Sequence, residues 1–354
     1  EEAKRIEGRW APTAIPGKRY LTLKHPVGVC AAISPWNFPV LLQARKIAPA
    51  LAAGCTVVSR PASQTPLCLI KVFECMEEAG VPPGVVNLVM GPPQEIVDEL
   101  MANPICRKIS FTGSTEVGKE LMRKAADGMK RISLELGGHA PVLIFDDVDP
   151  EQAAKFSVTG KFRNNGQVCI SPTRFFVHES LRKDFTEASV ELAKKIKMGN
   201  GVEPGIEVGP MFEPKAMDKT QGLIDQAVSV GAKVLTGGSR SKKFEKGYFF
   251  EPTVLENVTH EADIMTVEPF GPIMPILSFE HMDEAFAKAN DCRYGLAAYV
   301  MTNDLTIAIR AAEALEYGII GINDPVPAAV QSPFGGMKES GIGKEGSHEG
   351  IEPY

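Results

Sequence analysis

Between Val27 and Leu136, short apolar runs alternate with longer stretches in which apolar residues recur at helical spacing, the pattern of βαβ units in a largely parallel sheet. VGVCAAI, CTVVS, VVNLVM and KISFTG read as strands, and residues 40–53, 65–79 and 95–102 as helices. Gly80, Pro82 and Pro83 close the second of these helices. A second series opens near Pro141 with PVLIF, followed by a helix over 150–164, a strand around Phe175 and a long amphipathic helix over 181–197. Further helices at 217–230, 282–290 and 304–316 alternate with strands at 273–277, 297–301 and 319–322. The pattern predicts an α/β chain in two parts, with Gly137 and Gly138 as a hinge and the glycine-rich stretch 335–350 as a return segment.

Composition narrows the function classes. A chain of 354 residues, 44% hydrophobic and 23% charged, has the make-up of a soluble protein with room for two cores. Its net charge is -6 and it has no long basic run, so nucleic acid is not an expected partner. No apolar run reaches the roughly 18 residues of a membrane span; the stretch 40–58 is broken by Arg45, Lys46, Pro49 and Gly54. The opening EEAKRIEGRW is unlike a signal peptide and reads as an internal starting point. Seven scattered cysteines, at 30, 55, 68, 75, 106, 169 and 292, form no Cys-x-x-Cys pair and lie near no histidine cluster. Neither a disulfide framework nor a metal site is expected, and most of these thiols sit in apolar runs as small buried hydrophobes.

Cys169 differs. In NNGQVCIS it follows a polar, glycine-containing turn, where access favours a reactive thiolate; an inert loop cysteine is the plainer alternative. In LELGGHAP, Glu135 closes the strand ISLEL. Desolvation there would raise its carboxyl toward the range of a general base, unless it is only a solvated strand end. In SPWNFP, Asn37 sits in a stiff aromatic turn; its amide suits an oxyanion hole or the capping of the next helix.

Together with FTGSTEVGK, EPFGP and PFGGMKESGIGKEG, these segments resemble the aldehyde dehydrogenase superfamily from about Gly8 onward, most closely its NAD(P)-dependent succinate-semialdehyde dehydrogenase branch. The resemblance implies a Rossmann-type cofactor domain plus an α/β catalytic domain, N-terminally truncated. Residues 1–21 would be an assembly-arm segment, 22–137 an incomplete dinucleotide-binding domain, 138–340 the catalytic domain and 341–354 a return toward the assembly region. It makes Cys169 the nucleophile, Glu135 the base that activates the hydrolytic water, Asn37 an oxyanion donor and Lys46 a proton-relay lysine. The thiolate would form a thiohemiacetal, hydride would leave to the nicotinamide, and Glu135 would direct water onto the resulting thioester. Sulfur, acid, amide and nicotinamide are expected to share one cleft.

For the cofactor, FTGSTEVGK follows a strand and opens a helix, so Gly113 and Ser114 would offer backbone N–H groups to a pyrophosphate. By resemblance Ile33, Ser34, Trp36, Ala62 and Leu136 also line the site, and Glu268 and Phe270 hold the nicotinamide ribose and ring. Arg60 and Ser63 stand where a lysine and, in many NAD-preferring relatives, a glutamate are usual. A guanidinium without that opposing carboxylate suits a 2′-phosphate, which favours NADP over NAD. Arg45, in an apolar helix expected to be interior, and Arg163, six positions before Cys169, would clamp a substrate carboxylate.

Four positions depart from the branch. Ser171 replaces the second cysteine of a redox switch, Ala328 and Ala329 occupy a loop where some relatives bind the carboxylate with serine, and His139 is unusual and expected at the surface. The resemblance implies oxidation of a small carboxylated aldehyde, best succinate semialdehyde to succinate; the alternatives are another semialdehyde or a broad range of aldehydes, or an inactive binding protein or fragment derived from the family. The full-length protein is expected to be a homo-oligomer, a dimer or tetramer, in the cytoplasm, or in an organelle if a targeting peptide preceded Glu1.

Overall fold

Pairs of apolar runs separated by amphipathic stretches become parallel strands joined by helices. The computed structural model describes residues 2–354, which divide into two units. The first takes the described residues up to Leu136 with Ala329–Gly335 and Gly341–Tyr354; the second takes Gly137–Ala328 with Gly336–Ser340.

In the first unit, β1 (Arg9–Pro12) and β2 (Arg19–Thr22) form an exposed antiparallel hairpin. Then come β3 (Val29–Ile33), α1 (Pro39–Ala52), β4 (Thr56–Arg60), α2 (Leu67–Glu78), β5 (Val86–Leu88), α3 (Pro93–Ala102), β6 (Cys106–Thr112), α4 (Thr115–Asp127) and β7 (Arg131–Glu135). Pairing among β3 to β7 is parallel throughout. Alternate side chains of β3 enter opposite cores: Ala31 and Ile33 pack with Ile109, Phe111 and Leu134, while Cys30 and Ala32 pack with Ile47, Val57 and Tyr354. Both faces are covered, which is why these strands read as continuous apolar runs.

The second unit runs β8 (Ala140–Ile144), α5 (Pro150–Phe162), β9 (Pro172–His178), α6 (Glu179–Lys195), α7 (Pro214–Ser229), β10 (Lys233–Thr236), β11 (Thr253–Glu256) and β12 (Ile273–Phe279). It continues with α8 (Met282–Asn290), β13 (Tyr294–Gly295), β14 (Ala297–Met301), α9 (Leu305–Ala314), β15 (Ile319–Ile322) and β16 (Met337–Lys338). Its seven-stranded sheet has the order β10-β11-β12-β9-β8-β14-β15, antiparallel only at β10. β13 and β16 pair separately. The chain then rejoins the first unit, where β17 (Gly341–Ile342) pairs antiparallel with β7 and completes the order β17-β7-β6-β3-β4-β5.

Sequence and structure differ in instructive places. The helix expected over 150–164 stops at Phe162, because Asn164 and Asn165 adopt left-handed backbone angles. β10 and β11 were not foreseen; β10 is an edge strand whose exposed positions carry no burial pattern. His139, expected at the surface, is wholly buried. One ring nitrogen meets Thr173 Oγ1 at 2.8 Å and the other the Ile264 carbonyl at 3.1 Å. Burial and the charges of Arg174 and Lys161 hold it neutral, well below its ordinary range.

Arg174 of β9 is the largest wholly buried side chain described. It donates to the carbonyls of His139, Lys288 and Ala289 and to the Tyr317 hydroxyl, fastening β9 to the end of α8. Loss of the guanidinium would orphan several buried acceptors at once. Arg174→Leu is therefore expected to lower stability by about 3–5 kcal/mol, read as a fall in the urea midpoint; a shift of under about 1 kcal/mol would contradict this account.

Candidate active site

Cys169 lies in the second unit and is partly exposed. The turn before it is strained: Asn164, Asn165 and Gly166 all have positive φ, at 49°, 57° and 69°. Two non-glycine residues in succession there cost energy unless their surroundings fix them. They are fixed. Asn165 donates to the carbonyls of Gly209 and Pro210, Asn164 donates to the Gln167 carbonyl, and Gln167 accepts from the Phe212 N–H. After the thiol, the buried Tyr299 hydroxyl donates to the Ile170 carbonyl at 2.5 Å. Burial, and next the Cys169 thiol, push the Tyr299 phenol up. A Cβ on Gly138 would come within 2.3 Å of the Cys169 carbonyl oxygen, so the second glycine of LELGGH is required by this turn.

In the same unit, Glu268 accepts from the Gly138 N–H at 3.1 Å, and Lys219 donates to the Glu268 carbonyl. Phe270 has a positive φ of 46°. Arg163 is exposed on the turn that leads to Cys169.

Glu135 ends β7 in the first unit and is 3% exposed. Nearby Lys46, from α1, donates to Thr112 Oγ1 at 2.6 Å and forms a buried ion pair with Glu345. One ammonium therefore serves two carboxyls. One oxygen of Glu135 and one of Glu345 have no hydrogen-bond partner among the described residues. Burial first, and then the Glu345 charge, raise the Glu135 carboxyl well above its usual value, against the lowering influence of Lys46. Gly335 makes room for it: a Cβ there would sit 3.0 Å from Glu135 Oε1. Glu345 is the residue that sequence reasoning missed, although it lies within the quoted GKEG.

Asn37 is partly buried ahead of α1. The helix cap is Phe38, with no side-chain capping bond, so Asn37 is not the cap that the plainer reading made it. Arg45 does not lie in the interior with an anion, as expected. It is half-buried, its guanidinium 4.2 Å over the Phe334 ring, and stacking on an aromatic face leaves the edge donors available.

A cavity of 310 Å³ in the first unit is walled by Ile33, Ser34, Trp36, Arg60, Ala62 and Gly113 among others, six of the residues expected to bind a dinucleotide. Arg60 is 8% exposed and bonds Ser63 Oγ at 2.9 Å. Its Nε and the Ser34 hydroxyl are buried with no partner among the described residues. Orphaned donors on a cavity wall fit a polar, anionic ligand. One expectation fails: the Gly113 N–H is not free for a pyrophosphate, since it donates to the Glu135 carbonyl at 3.1 Å and extends the β6–β7 ladder. Glycine is needed there because a Cβ would overlap the Phe111 ring. Ser114 caps α4, accepting from the Val117 N–H, and Leu136 is buried against Gly118. No group of three or more His, Cys, Asp or Glu side chains that could hold a metal occurs among the described residues.

The sequence profile of the aldehyde dehydrogenase family matches residues 1–354. The chain belongs to the aldehyde dehydrogenase family. It is 47% identical to a glutarate-semialdehyde dehydrogenase of Pseudomonas putida over all 354 residues, which span 73% of that relative. An NADP-dependent succinate-semialdehyde dehydrogenase of Escherichia coli is 44% identical over the whole chain and 73% of its own length. Among solved structures, an NADP-dependent E. coli enzyme superposes with a TM-score of 0.98, at 44% identity over 100% of this chain and 73% of that one. A betaine aldehyde dehydrogenase of Staphylococcus aureus bound to NAD+ gives 0.96, at 41% identity over 99% and 70%.

For this aldehyde dehydrogenase the raised Glu135 carboxyl has a signed consequence. The folded state holds a proton that the unfolded state has released, so the stability it contributes is present at low pH and lost as pH rises through the folded value. Glu135→Gln should match the wild type in urea midpoint near about pH 5 and exceed it near about pH 9. Parallel midpoints across that range would refute the assignment.

Proposed function

We propose that this enzyme oxidises a small carboxylated aldehyde, succinate semialdehyde or its one-carbon-longer glutarate homologue, to the acid, with NADP preferred over NAD. The observation that carries the reading is Glu135: a sealed carboxyl, raised by burial and by Glu345, suited to take a proton from water. The names of the relatives, semialdehyde dehydrogenases at 44–47% identity, agree with it.

Cys169 adds as thiolate to the aldehyde carbon, and the oxygen that takes up the negative charge is stabilised by the Asn37 amide and the Cys169 N–H. Bound nicotinamide supplies an acceptor for the hydride released from this carbon. The acyl group is left as a thioester on Cys169. Glu135 then removes a proton from water, which attacks the thioester and frees the acid and the thiolate. Lys46 and Glu345 pass that proton onward. For the cofactor, Arg60 and Ser63 would hold the adenosine end, with a 2′-phosphate placed on the guanidinium; Ser34, Trp36 and Ser114 would line the middle; Glu268 and Phe270 would hold the nicotinamide end.

Arg45, its flat face on Phe334 and its edge donors turned from the ring, is assigned to the far carboxylate of the substrate, with Arg163 as its counterpart. The exposed hairpin, with Trp10 72% and Leu21 70% exposed, suits an arm covered by a second copy of the chain. Among the described residues no helix is long and apolar enough to cross a membrane. The reading places the enzyme in the cytoplasm, or in an organelle, as with the mitochondrial relative of Arabidopsis thaliana.

Cys169→Ala should abolish nucleotide reduction, whereas Glu135→Gln should give a single-turnover burst followed by a steady rate lowered about 10²–10⁴-fold. Absence of a burst in the second variant would show that Glu135 does not act after acylation. Arg45→Ala should raise KM for succinate and glutarate semialdehydes about tenfold or more while leaving an uncharged aldehyde of equal length unaffected; equal losses on both would remove Arg45 from the clamp. Ser63→Glu should reverse the preference from NADP to NAD, measured as a ratio of kcat/KM values.

A further inference from the structure

Lys161 has no part in the chemistry above, yet it is a wholly buried cation in the last turn of α5, just before the strained turn that carries Cys169. Among the described residues its ammonium makes one hydrogen bond, to Ser171 Oγ at 3.5 Å, the outer limit for such a contact. It also presses against the turn itself, 3.0 Å from where a Gly166 Cβ would stand. Three donors thus share one weak acceptor in a site closed to water, an arrangement that persists only if a nearby negative charge offsets the desolvation. The same Gly166 Cβ position lies 2.4 Å from the Gly271 carbonyl oxygen, which sets the ammonium beside the segment bearing Glu268, the carboxylate whose charge acts on it. The other titratable group facing it is His139, from the segment before β8, which is held neutral.

We propose that Lys161 is a positioning residue, whose ammonium ties the turn bearing Cys169 to the segment bearing Glu268 within the second unit and so fixes the carboxylate that receives the nicotinamide ribose. The proposal rests on the function proposed above. The Glu268 carboxylate is then held from two sides, by the Gly138 N–H and by the field of Lys161. Burial lowers the ammonium to about 7. The tie is accordingly complete below neutrality and slackens as pH rises through that value, when Lys161 gives up its charge.

The test titrates the full chain with NADPH, followed by nucleotide fluorescence, near about pH 6 and about pH 8.5, for wild type, Lys161→Met, Glu268→Gln and the double variant. Wild-type affinity should fall about tenfold between the two conditions. Lys161→Met should bind at both as weakly as wild type does at the higher pH, with nucleotide KM rising more than kcat falls, and should have no further effect in the Glu268→Gln background. A wild type with pH-independent affinity, or a Lys161→Met defect of equal size with and without Glu268, would overturn the proposal. If Lys161→Met fails to fold, the wild-type profile decides alone. If the wild type binds no nucleotide at all, the cofactor reading falls instead. The tie is then read from the iodoacetamide alkylation rate of Cys169, which should be slower in Lys161→Met near about pH 7; an unchanged rate would remove it.

Discussion

The first unit is organised around an electrostatic shortage. Glu135 and Glu345 are both buried, and the buried Lys46 ammonium is ion-paired with Glu345. Two carboxyls set close together in a poorly polarisable interior disfavour each other's charged forms, so a proton is held there more tightly than in water. Glu345 is ion-paired with Lys46, while burial and then the Glu345 charge raise the Glu135 carboxyl well above its usual value. Much of the neighbouring chain follows from accommodating this group. Thr112 at the end of β6 shares the ammonium, and Gly335 yields the space beside the Glu135 oxygen. β17 runs against β7 so that the segment bearing Glu345 arrives at all.

The second unit solves the opposite problem, an excess of buried cations, in two ways. Arg174 is saturated by carbonyls and a hydroxyl, a neutral cage that lets its charge serve as a fastener. Lys161 is left short of acceptors and leans on a carboxylate. The two side chains are both wholly buried, but only the second has a proton it can lose near neutrality. The turn that bears Cys169 is likewise held by side-chain amides of Asn164, Asn165 and Gln167, not by regular secondary structure. A thiol can then stand partly exposed on a backbone that does not relax.

What the sequence disclosed follows from how local each signal is. The thiol after NNGQ, the acid closing ISLEL and the strands of both sheets depend on neighbours within a few positions, and periodicity and turn chemistry report those. Glu345 stayed hidden because the lysine that defines it is 299 positions away. The stacking of Arg45 on Phe334 and the burial of His139 between β9 and the Ile264 carbonyl are long-range in the same sense. Gly113 shows a subtler limit: a strand followed by a helix start suggests free N–H groups, but pairing with β7 extends one residue further than the pattern implies. Strands of two residues, such as β13 and β16, are too short to carry a pattern.

Tyr354 fills the core beneath β3 and β4, its ring under the buried Lys108 ammonium at 4.6 Å, and its carbonyl accepts from the Val27 N–H. The first unit is thus closed by residues made more than three hundred positions after its own first parallel strand, with nearly the whole second unit emerging in between. During synthesis its early strands must wait with an unfilled interior, held apart from one another's wrong partners, while the intervening unit can collapse on its own contacts. Without the segment that carries β17, the edge of β7 would stay an open seam, a row of unpaired backbone groups that invites pairing with another chain.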